Sequence, residues 1–306
     1  MLNQDSGVFV SIIETQSLTR NYGRRRGIES INFSVPQGSL FGFLGPNGAG
    51  KTTAIRVMVG LLRPSAGSAK IFGLDCWRDS RSIKADVGYM PGDVRLHPWM
   101  DGMRALRIWG QIRRRHLVPY GRELAERFDL DLAVRVRNMS RGMRQKLGLI
   151  LALAHQPRLL ILDEPTVTLD PLMQTAVHKL LREMATAGHT IFFSSHTLSE
   201  VDQLCDRVAM IRQGRLVADE SLAALRKRAG HHVTIRWPDA AAASARPPAF
   251  LTVELRDAVV WSGMLDGPVE RLVHWLGERP FDDLSIGPPD LETLFRSYYA
   301  AGENGP

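Results

Sequence analysis

The sequence predicts an α/β fold in which helices cover both faces of a parallel β-sheet, with a β-rich segment before it and a small α+β module after it. Three apolar runs of strand length, at residues 159–165, 189–196 and 207–211, are separated by stretches of helical character. Buried runs of this kind, alternating with helices, are typical of a parallel sheet. A glycine-rich turn at residues 45–52 follows another apolar strand candidate and precedes a helix.

Composition excludes several classes of protein. Hydrophobic residues make up 44% and charged residues 23% of the 306 residues, which is the balance of a globular chain and not of a disordered one. The longest apolar run, at residues 147–154, is too short for a membrane-spanning helix, which needs roughly 20 residues. The N-terminus lacks the basic and apolar regions of a secretory signal.

The charge and the cysteine content bear on the compartment and on the kind of partner. Cys76 and Cys205 are too few for a disulfide framework or a cysteine-rich zinc site, and two reduced cysteines fit a cytosolic protein. The net charge of +7 would suit contact with nucleic acid or with an anionic membrane surface. An arginine-rich surface without such a partner explains the same charge, and both interpretations remain open.

The N-terminal part alternates strand and helix candidates. Residues 8–14 read as a strand, Ile31, Phe33 and Val35 alternate with polar neighbours, and residues 39–45 form the apolar run before the turn. The helix after the turn should extend to Arg63-Pro64. Residues 100–137 are predicted to be mainly helical, and a buried helix should cover residues 141–154.

A change of composition near residue 230 predicts a domain boundary. We place an N-terminal domain at residues 1–228 and an accessory module at residues 229–306. In the module, strand candidates at 232–237 and 251–255 flank a loop-like segment at 239–249. Helices are expected at 268–276 and 290–300, the second with Asp290 as its N-cap. We expect the tryptophans at 237, 261 and 275 to be core residues.

The turn has the residue types that bind the phosphates of a nucleotide. It fits G-x-x-x-x-G-K-[ST] and consists of Gly45, Pro46, Asn47, Gly48, Ala49, Gly50, Lys51 and Thr52, with Thr53 next. Glycines let successive N–H groups point at phosphate oxygens, and the following helix directs its positive end at the same place. The Lys51 ammonium suits the β- and γ-phosphates, and the Thr52 hydroxyl suits Mg²⁺.

Two acids close the apolar run at 159–165. Asp163 and Glu164 would lie near the metal and the γ-phosphate if their strand neighbours the phosphate turn. Asp163 would then hold Mg²⁺, directly or through water. Glu164 would orient or deprotonate the attacking water.

The ordered set of motifs resembles the ATP-binding subunit of ATP-binding-cassette (ABC) transporters. The phosphate turn resembles Walker A and the run ending in Asp163-Glu164 resembles Walker B. Other positions match by resemblance: the signature at Ser140, Arg141, Gly142 and Met143, the D-loop at Asp170, the switch histidine at His196 and the adenine-stacking aromatic at Tyr22. The resemblance spans residues 8 to 225. The resemblance narrows to the daunorubicin-resistance type, a branch that exports drugs and antibiotics. It is carried by the variant motifs at residues 88–93 and 140–145 and by the tail at residues 291–299.

The resemblance implies a fold, a reaction and partners. The fold would be a P-loop NTPase with a RecA-like core, an antiparallel β subdomain, and a helical subdomain at about residues 96–155. Two subunits would form a head-to-tail homodimer around ATP and Mg²⁺, with Ser140 and the Gly142 N–H facing the γ-phosphate of the opposite subunit. His196 would contact the γ-phosphate in its own subunit. Ser140 would also serve as an ordinary helix cap.

By the same resemblance, the chain would be an ATPase bound to a separate multi-spanning permease at the cytoplasmic face of the membrane. It would drive export of a hydrophobic or antibiotic-like compound. The arginines of residues 113–116 are candidates for contact with the permease or with lipid headgroups. No specific nucleic-acid partner is expected, because aromatics are not interleaved with the basic clusters. Two alternatives remain open: a soluble cassette ATPase acting on ribosome or nucleic-acid complexes, and a module that holds ATP without turnover.

Three motifs depart from the family pattern. Gly92 stands where the family has the Q-loop glutamine, which contacts Mg²⁺ and the attacking water, and we expect Asp93 to substitute for it in part. Arg141 and Met143 replace a glycine and a glutamine of the signature. The D-loop begins with Val167-Thr168 in place of Ser-Gly.

Overall fold

The structure is a computed structural model, which describes residues 10–23, 25–289 and 291–300. It divides the chain into two compact units, Met1–Asp219 and Glu220–Pro306. The boundary lies earlier than residue 228 because helix α8 (Leu222–Arg228) belongs to the second unit. There, Nη1 of Arg228 lies 2.6 Å from Oε2 of Glu220, and the hydroxyl of Tyr298 lies 3.0 Å from Oε1 of the same carboxylate.

The first unit contains ten strands and seven helices within the described residues. The strands are β1 (Ser11–Tyr22), β2 (Arg25–Pro36), β3 (Leu40–Leu44), β4 (Ala66–Ile71), β5 (Leu74–Asp75), β6 (Val87–Met90), β7 (Leu159–Asp163), β8 (Thr190–Ser195), β9 (Arg207–Arg212) and β10 (Arg215–Ser221). The helices are α1 (Lys51–Met58), α2 (Ser80–Asp86), α3 (Gly102–Arg113), α4 (Val118–Arg127), α5 (Arg141–Leu153), α6 (Pro171–Thr186) and α7 (Leu198–Leu204).

A six-stranded sheet in the order β10-β9-β3-β8-β7-β6 forms the centre of the first unit. Strand β3 pairs in parallel with β8 and β9, and β7 pairs in parallel with β6 and β8. Every residue of β3, β7 and β8 is buried, as expected for parallel strands covered on both faces. The predicted α/β fold is confirmed. Because β3, β8 and β7 are neighbours and parallel, the residues that follow them meet at one edge of the sheet.

A second, four-stranded sheet in the order β2-β1-β4-β5 packs against the central one. The predicted alternation in β2 is confirmed, since Ile31, Phe33 and Val35 are buried. The Phe33 ring lies 5.8 Å from that of Phe41 in β3 and 6.0 Å from that of Phe192 in β8. Aromatic contacts between the two sheets therefore fix the antiparallel sheet beside the strand that carries the phosphate turn.

The helix after the turn is shorter than predicted. α1 ends at Met58, five residues before Arg63. Gly60 has φ +65, and Leu61 N donates to Arg56 O at 2.8 Å, so a left-handed glycine closes the helix. The helical prediction missed this because the apolar pattern continues through the two leucines that follow.

The segment between β6 and β7 is mainly helical, as predicted, and contains α3, α4, a 3₁₀ turn (Val136–Asn138) and α5. Two arginines of residues 113–116 bind the chain itself. Arg113 donates to the carbonyls of Lys84 and Val87, and Arg115 donates to His155 O and to the Asp86 carboxylate. Arg113 and Arg115 therefore tie the helical segment to the central sheet and to α2, although Arg115, like Arg114 and His116, is exposed.

His155 makes the stability of the fold depend on pH. Burial, with a smaller contribution from Arg113, lowers the pKa of His155 from 6.5 to about 4. Between pH 4 and pH 6.5, His155 is therefore protonated in the unfolded chain and neutral in the folded chain. We expect the free energy of unfolding to be highest above pH 6.5 and to fall by up to about 3 kcal/mol as the pH drops toward 4. Urea titrations at several pH values should show this slope, reduced in His155→Gln and kept in the exposed His116→Gln. An equal slope in both variants would contradict the assignment.

The second unit is a small α+β module. It contains α8, β11 (His231–Arg236), a 3₁₀ turn (Ala242–Ser244), β12 (Leu251–Arg256), β13 (Val260–Leu265), α9 (Val269–Leu276), β14 (Asp283–Pro289) and α10 (Leu291–Ala300). Its strands form an antiparallel sheet in the order β12-β13-β11-β14. Trp237 and Trp261 are buried with their rings 4.9 Å apart, and Trp275 packs against both, so the three tryptophans belong to the core. Asp290 lies outside the described residues.

Within the described part of the chain, no helix is both long enough and apolar enough to cross a membrane.

Candidate nucleotide-binding site

A cleft of about 410 Å³ lies at the edge of the central sheet where β3 and β7 end. This is the place at which open parallel sheets bind ligands. The lining combines residues of the glycine-rich turn, the acids after β7, and the loop after β6. The lining residues are Tyr22, Gly27, Asn47, Gly48, Gly50, Lys51, Thr52, Thr53, Arg56, Gly92, Asp93, Asp163 and Glu164.

The glycine-rich turn has the shape of an anion cradle. Gly48 has φ +80, and a Cβ there would have no neighbour within 4 Å, so this backbone faces open space. Gly50 has φ +110, and a Cβ there would lie 2.8 Å from Gly27 O, so the position requires glycine. Ala49 is buried and donates its N–H to Pro46 O at 3.1 Å, which closes the turn. The turn passes directly into α1, whose first three residues, Lys51, Thr52 and Thr53, line the same cleft.

Lys51 is the buried cation beside the glycine-rich turn. Only 4% of its side chain is exposed. Its ammonium donates to Gly45 O at 2.6 Å and Pro46 O at 3.2 Å, and lies 3.0 Å from Oε1 of Glu164. A buried charge without partners would be costly, so the carbonyls and the carboxylate hold Lys51 in place. A phosphate group entering the cleft would compete with Glu164 for this ammonium.

Glu164 is held in a strained backbone conformation at the centre of the site. Its φ is +49, a value that residues with a side chain rarely adopt. Its N–H lies 3.2 Å from the carbonyl oxygen and 3.1 Å from the hydroxyl of Ser194. Its second carboxylate oxygen lies 3.4 Å from Nδ1 of His196, the residue after β8. The structure therefore brings Lys51, Glu164 and His196 together.

Thr52 and Asp163 form an oxygen-rich pair suited to a hard cation. The Thr52 hydroxyl donates to Oδ2 of Asp163 at 2.8 Å, and Ser194 donates to Oδ1 at 2.7 Å. Only 2% of Asp163 is exposed, so its carboxylate is fixed by these two hydroxyls. A hydroxyl and a carboxylate beside a phosphate cradle are the ligand types that Mg²⁺ takes, together with water and phosphate oxygens.

Tyr22 lies at the end of β1 and lines the cleft. Tyr22 is 41% exposed, and the Arg20 guanidinium carbon lies 5.1 Å from the centroid of its ring. Gly27 lies beside the ring, because a Cβ there would meet Cε2 of Tyr22 at 3.0 Å. The aromatic surface is therefore available to a flat ligand entering the cleft.

The signature residues and Asp170 do not line this cleft in the described part of the chain. Ser140 caps α5, its hydroxyl accepting the N–H of Met143 at 3.1 Å. Asp170 caps α6 in the same way by accepting the N–H of Met173 at 2.9 Å. Both residues, and Arg141, are exposed, so the amino end of α5 and the loop before α6 are open to another molecule.

Gly142 and Gln145 connect the signature helix to the loop after β7. A Cβ on Gly142 would lie 3.2 Å from Thr168 O. The buried amide of Gln145 donates to the carbonyls of Glu164 and Pro165 at 3.2 and 3.1 Å. Movement of α5 would therefore be transmitted to the backbone of Glu164.

The loop after β6 places Gly92 beside Asp163, one member of the Thr52–Asp163 pair. A Cβ at Gly92 would lie 3.2 Å from Asp163 O and 3.7 Å from Oδ2 of the same residue. Asp93 lines the cleft, but its side chain is 71% exposed and lies 2.7 Å from Nε of Arg95. An exposed ion pair of this kind is weak, so the carboxylate can exchange partners.

The resemblance implies Mg²⁺-dependent hydrolysis of ATP in this cleft. For that reaction we expect Asp93→Ala to lower turnover by about tenfold, less than the 10²–10³ for a directly positioned polar group, because Asp93 is largely exposed. The matched control is Arg95→Ala, which removes the other half of the ion pair and frees the carboxylate. Turnover should be kept or raised in this control. Steady-state phosphate release measures both. Unchanged turnover in Asp93→Ala would exclude a compensating role for Asp93.

Sequence reasoning gave no role to several residues of the site. Ser194, Gln145 and Arg56 lie in segments predicted to be strands or helices, but a serine, a glutamine and an arginine carry no signal by themselves. Arg56 lines the cleft. Burial, with a smaller effect of the Asp163 carboxylate, raises the pKa of the nearby Tyr89 to about 12 against the opposing charge of Arg56, so this hydroxyl stays protonated beside the cleft. Only the pairing of β7 with β8 shows that Ser194 faces Asp163.

Comparison with known proteins gives a consistent family. The family pattern described as ABC transporter matches residues 28–167. The chain is 37% identical over 232 residues to the bacitracin transport ATP-binding protein BcrA of Bacillus licheniformis, which covers 75% of this chain and 76% of that protein. It is 34% identical over 223 residues to the daunorubicin resistance ATP-binding protein DrrA3 of Streptomyces coeruleorubidus, covering 71% of each.

Solved structures agree in fold. The structure of an ATP-binding subunit of an ABC transporter superposes with a TM-score of 0.66 at 28% identity, covering 71% of this chain and 92% of that one. A dimeric ATP-binding cassette in a post-hydrolysis state, bound to ADP and Pi, superposes with a TM-score of 0.61, covering 69% of this chain and 98% of that one. At 19% identity, the second likeness concerns the fold alone.

Proposed function

The chain belongs to the ABC transporter family as an ATP-binding subunit with ATPase activity, and from that premise we propose that it powers export of a hydrophobic or antibiotic-like compound through a separate permease. The observation that carries the catalytic part of the proposal is the convergence of Lys51 and His196 on Glu164. The transport part is supported by relatives whose names assign them to bacitracin transport and daunorubicin resistance.

In the proposed reaction the turn at residues 45–52 binds the ATP phosphates through its N–H groups, and Tyr22 stacks on the adenine. Lys51 leaves Glu164 and pairs with the β- and γ-phosphates. Thr52 and Asp163 would hold Mg²⁺, directly or through water. When bound, the ion neutralises charge on the β- and γ-phosphate oxygens.

Once Lys51 has moved to the phosphates, Glu164 can act on the attacking water. Its Oε1 atom, 3.0 Å from the ammonium in this structure, becomes free to orient a water and accept its proton. His196, on the other carboxylate oxygen at 3.4 Å, would contact the γ-phosphate and keep Glu164 directed toward it. The strained backbone of Glu164, anchored by Ser194, maintains this direction.

A complete site requires a second copy of the chain. We propose a head-to-tail homodimer in which the exposed amino end of α5 faces the γ-phosphate held by the partner. Ser140 and the Gly142 N–H would act as donors there, at the positive end of a 13-residue helix. Arg141, Met143 and Asp170 would lie at the same interface. Loss of the γ-phosphate would remove a contact shared by both subunits and weaken the dimer.

The location follows from the partner. We propose that the chain lies on the cytoplasmic face of the cell membrane, held by its permease, with contact to the inner membrane surface through its basic residues. No specific nucleic-acid partner is proposed.

Affinity purification of the tagged full-length chain from detergent-solubilised native cells tests the transport proposal. We expect a multi-spanning membrane protein in stoichiometric amount, identified by mass spectrometry. A matched purification of the Lys51→Met variant shows whether the association requires bound nucleotide. Ribosomal or DNA-repair proteins without a membrane partner would overturn the proposal in favour of a soluble cassette ATPase.

A further inference from the structure

Glu200 joins the two chain segments that carry the reactive side chains of the site. It lies in the first turn of α7, four residues after His196. Its Oε1 atom accepts a hydrogen bond from the Thr166 hydroxyl at 2.6 Å. Its Oε2 atom accepts one from the Ser195 hydroxyl at 2.5 Å. Thr166 follows Glu164 by two residues, and Ser195 directly precedes His196.

The surroundings make this bridge rigid. Thr166 and Ser195 are buried, with 0% and 1% of their surface exposed. The Ser195 hydroxyl also accepts the N–H of Thr197 at 2.9 Å, so the carboxylate fixes both sides of His196. On the other segment, Gln174 donates to the carbonyls of Thr166 and Leu169 at 3.3 and 3.1 Å. The Thr166 end of the bridge is therefore anchored to α6 as well.

We propose that Glu200 is a positioning residue that sets the separation between Glu164 and His196 by bridging Thr166 and Ser195. Glu200 does not line the cleft in the described residues, so it acts through its two hydroxyl partners. The Glu164–His196 contact of 3.4 Å is long for a hydrogen bond, and its geometry depends on how the two segments are held. Misplacement of reacting groups by about an ångström can cost 10²-fold in rate. This inference rests on the proposed roles of Glu164 and His196.

The bridge needs both of its hydrogen bonds, and this dependence can be measured. Loss of either hydroxyl opens the same link, so a second loss adds little. Thr166→Val and Ser195→Ala should each lower kcat about tenfold, and the double variant should be no slower than the slower single variant, as expected of residues in one network. Glu200→Gln keeps the volume but exchanges one accepting oxygen for a donating amide, and should give a similar loss.

The test is phosphate release by the purified full-length chain, together with ATP affinity from binding of a fluorescent ATP analogue. We expect kcat to fall while the affinity stays within about twofold, because the bridge lies outside the phosphate cradle. Matched controls are Thr186→Val, an exposed threonine whose hydroxyl donates to Arg182 O in its own helix, and Ser199→Ala, an exposed serine on α7. Both should keep wild-type kcat.

Three results would overturn the proposal: an unchanged kcat in Thr166→Val and Ser195→Ala, losses that multiply in the double variant, or a loss of ATP affinity as large as the loss of kcat. Thr166→Val is nearly isosteric and covers the case in which Glu200→Gln fails to fold. Glu164→Gln assayed in parallel distinguishes failure of the proposed catalytic roles from failure of the positioning role. Full turnover in that variant defeats the proposed catalytic roles, whereas its inactivity beside active bridge variants defeats the positioning role alone.

Discussion

Glu164→Gln is expected to lower the rate of ATP hydrolysis by about 10²–10⁴-fold while ATP binding persists. The amide has the size of the carboxylate but cannot accept the proton of the attacking water. Lys51 keeps its contacts with Gly45 O and Pro46 O, at 2.6 and 3.2 Å, so the phosphate cradle should survive the change. The variant should therefore accumulate as an ATP-bound dimer. Phosphate release, and size-exclusion chromatography with and without ATP, measure the two effects.

The matched control for this prediction is Glu183→Gln. Glu183 is a glutamate on α6 whose carboxylate lies 2.6 Å from Nη1 of Arg127 in a partly exposed ion pair. Such pairs contribute little to stability, so this variant should turn over ATP at the wild-type rate. Wild-type turnover in Glu164→Gln would show that another group is the general base. A loss of ATP binding equal to the loss of turnover would show that Glu164 supports the cradle and not the proton transfer.

The parts of the site that could be predicted from sequence are those in which one local segment supplies both the backbone and the chemistry. The turn at residues 45–52 specifies its own shape through Gly48 and Gly50. Asp163 and Glu164 follow a run of apolar residues that has no plausible place other than a buried strand. Parallel pairing then brings the ends of β3, β7 and β8 together, so these short patterns predict a shared site.

Contacts between distant segments could not be predicted in this way. Ser194 and Glu200 matter only because β8 lies between β3 and β7 and because α7 packs beside the loop after β7. No local pattern distinguishes them from other polar residues. The strands β13 and β14 were missed for a different reason. Strand β13 contains Gly263, which weakens a strand pattern but is tolerated in this central strand. Strand β14 contains Gly287, Pro288 and Pro289, and it lies at the edge of the sheet, where proline is tolerated.

The arginines of residues 113–116 show that the function of a charge cluster depends on its neighbours. As a sequence, the four residues suggest one basic surface. In the structure, Arg113 and Arg115 satisfy the carbonyls of Lys84, Val87 and His155, and so they fix the helical segment to the central sheet. A substitution of the half-buried Arg113 would report on this attachment, whereas Arg115 is also exposed to solvent.

Complementation between two inactive variants is the prediction that most directly tests the head-to-tail dimer. Lys51→Met removes the cation from the site of its own subunit. Gly142→Asp places a carboxylate where an N–H donor should face the partner's γ-phosphate, and its Cβ would lie 3.2 Å from Thr168 O. Each variant alone should lose nearly all turnover, because both sites of its homodimer are defective in the same way.

In a mixed head-to-tail dimer of these variants, one composite site carries both defects and the other carries none, since each site combines the Lys51 of one subunit with the Gly142 of the other. Co-expression with two different tags and sequential purification isolates the mixed dimer. It should recover about half of wild-type turnover if the two sites work independently, as two-fold symmetry requires for equal sites. A Lys51→Met dimer carrying the same two tags is the control and should stay inactive. If the mixed dimer forms but shows no recovery, the signature and the phosphate turn of different subunits do not share a site. Recovery, in contrast, can arise only when the two residues act across the interface, because within each single chain one of them is already lost.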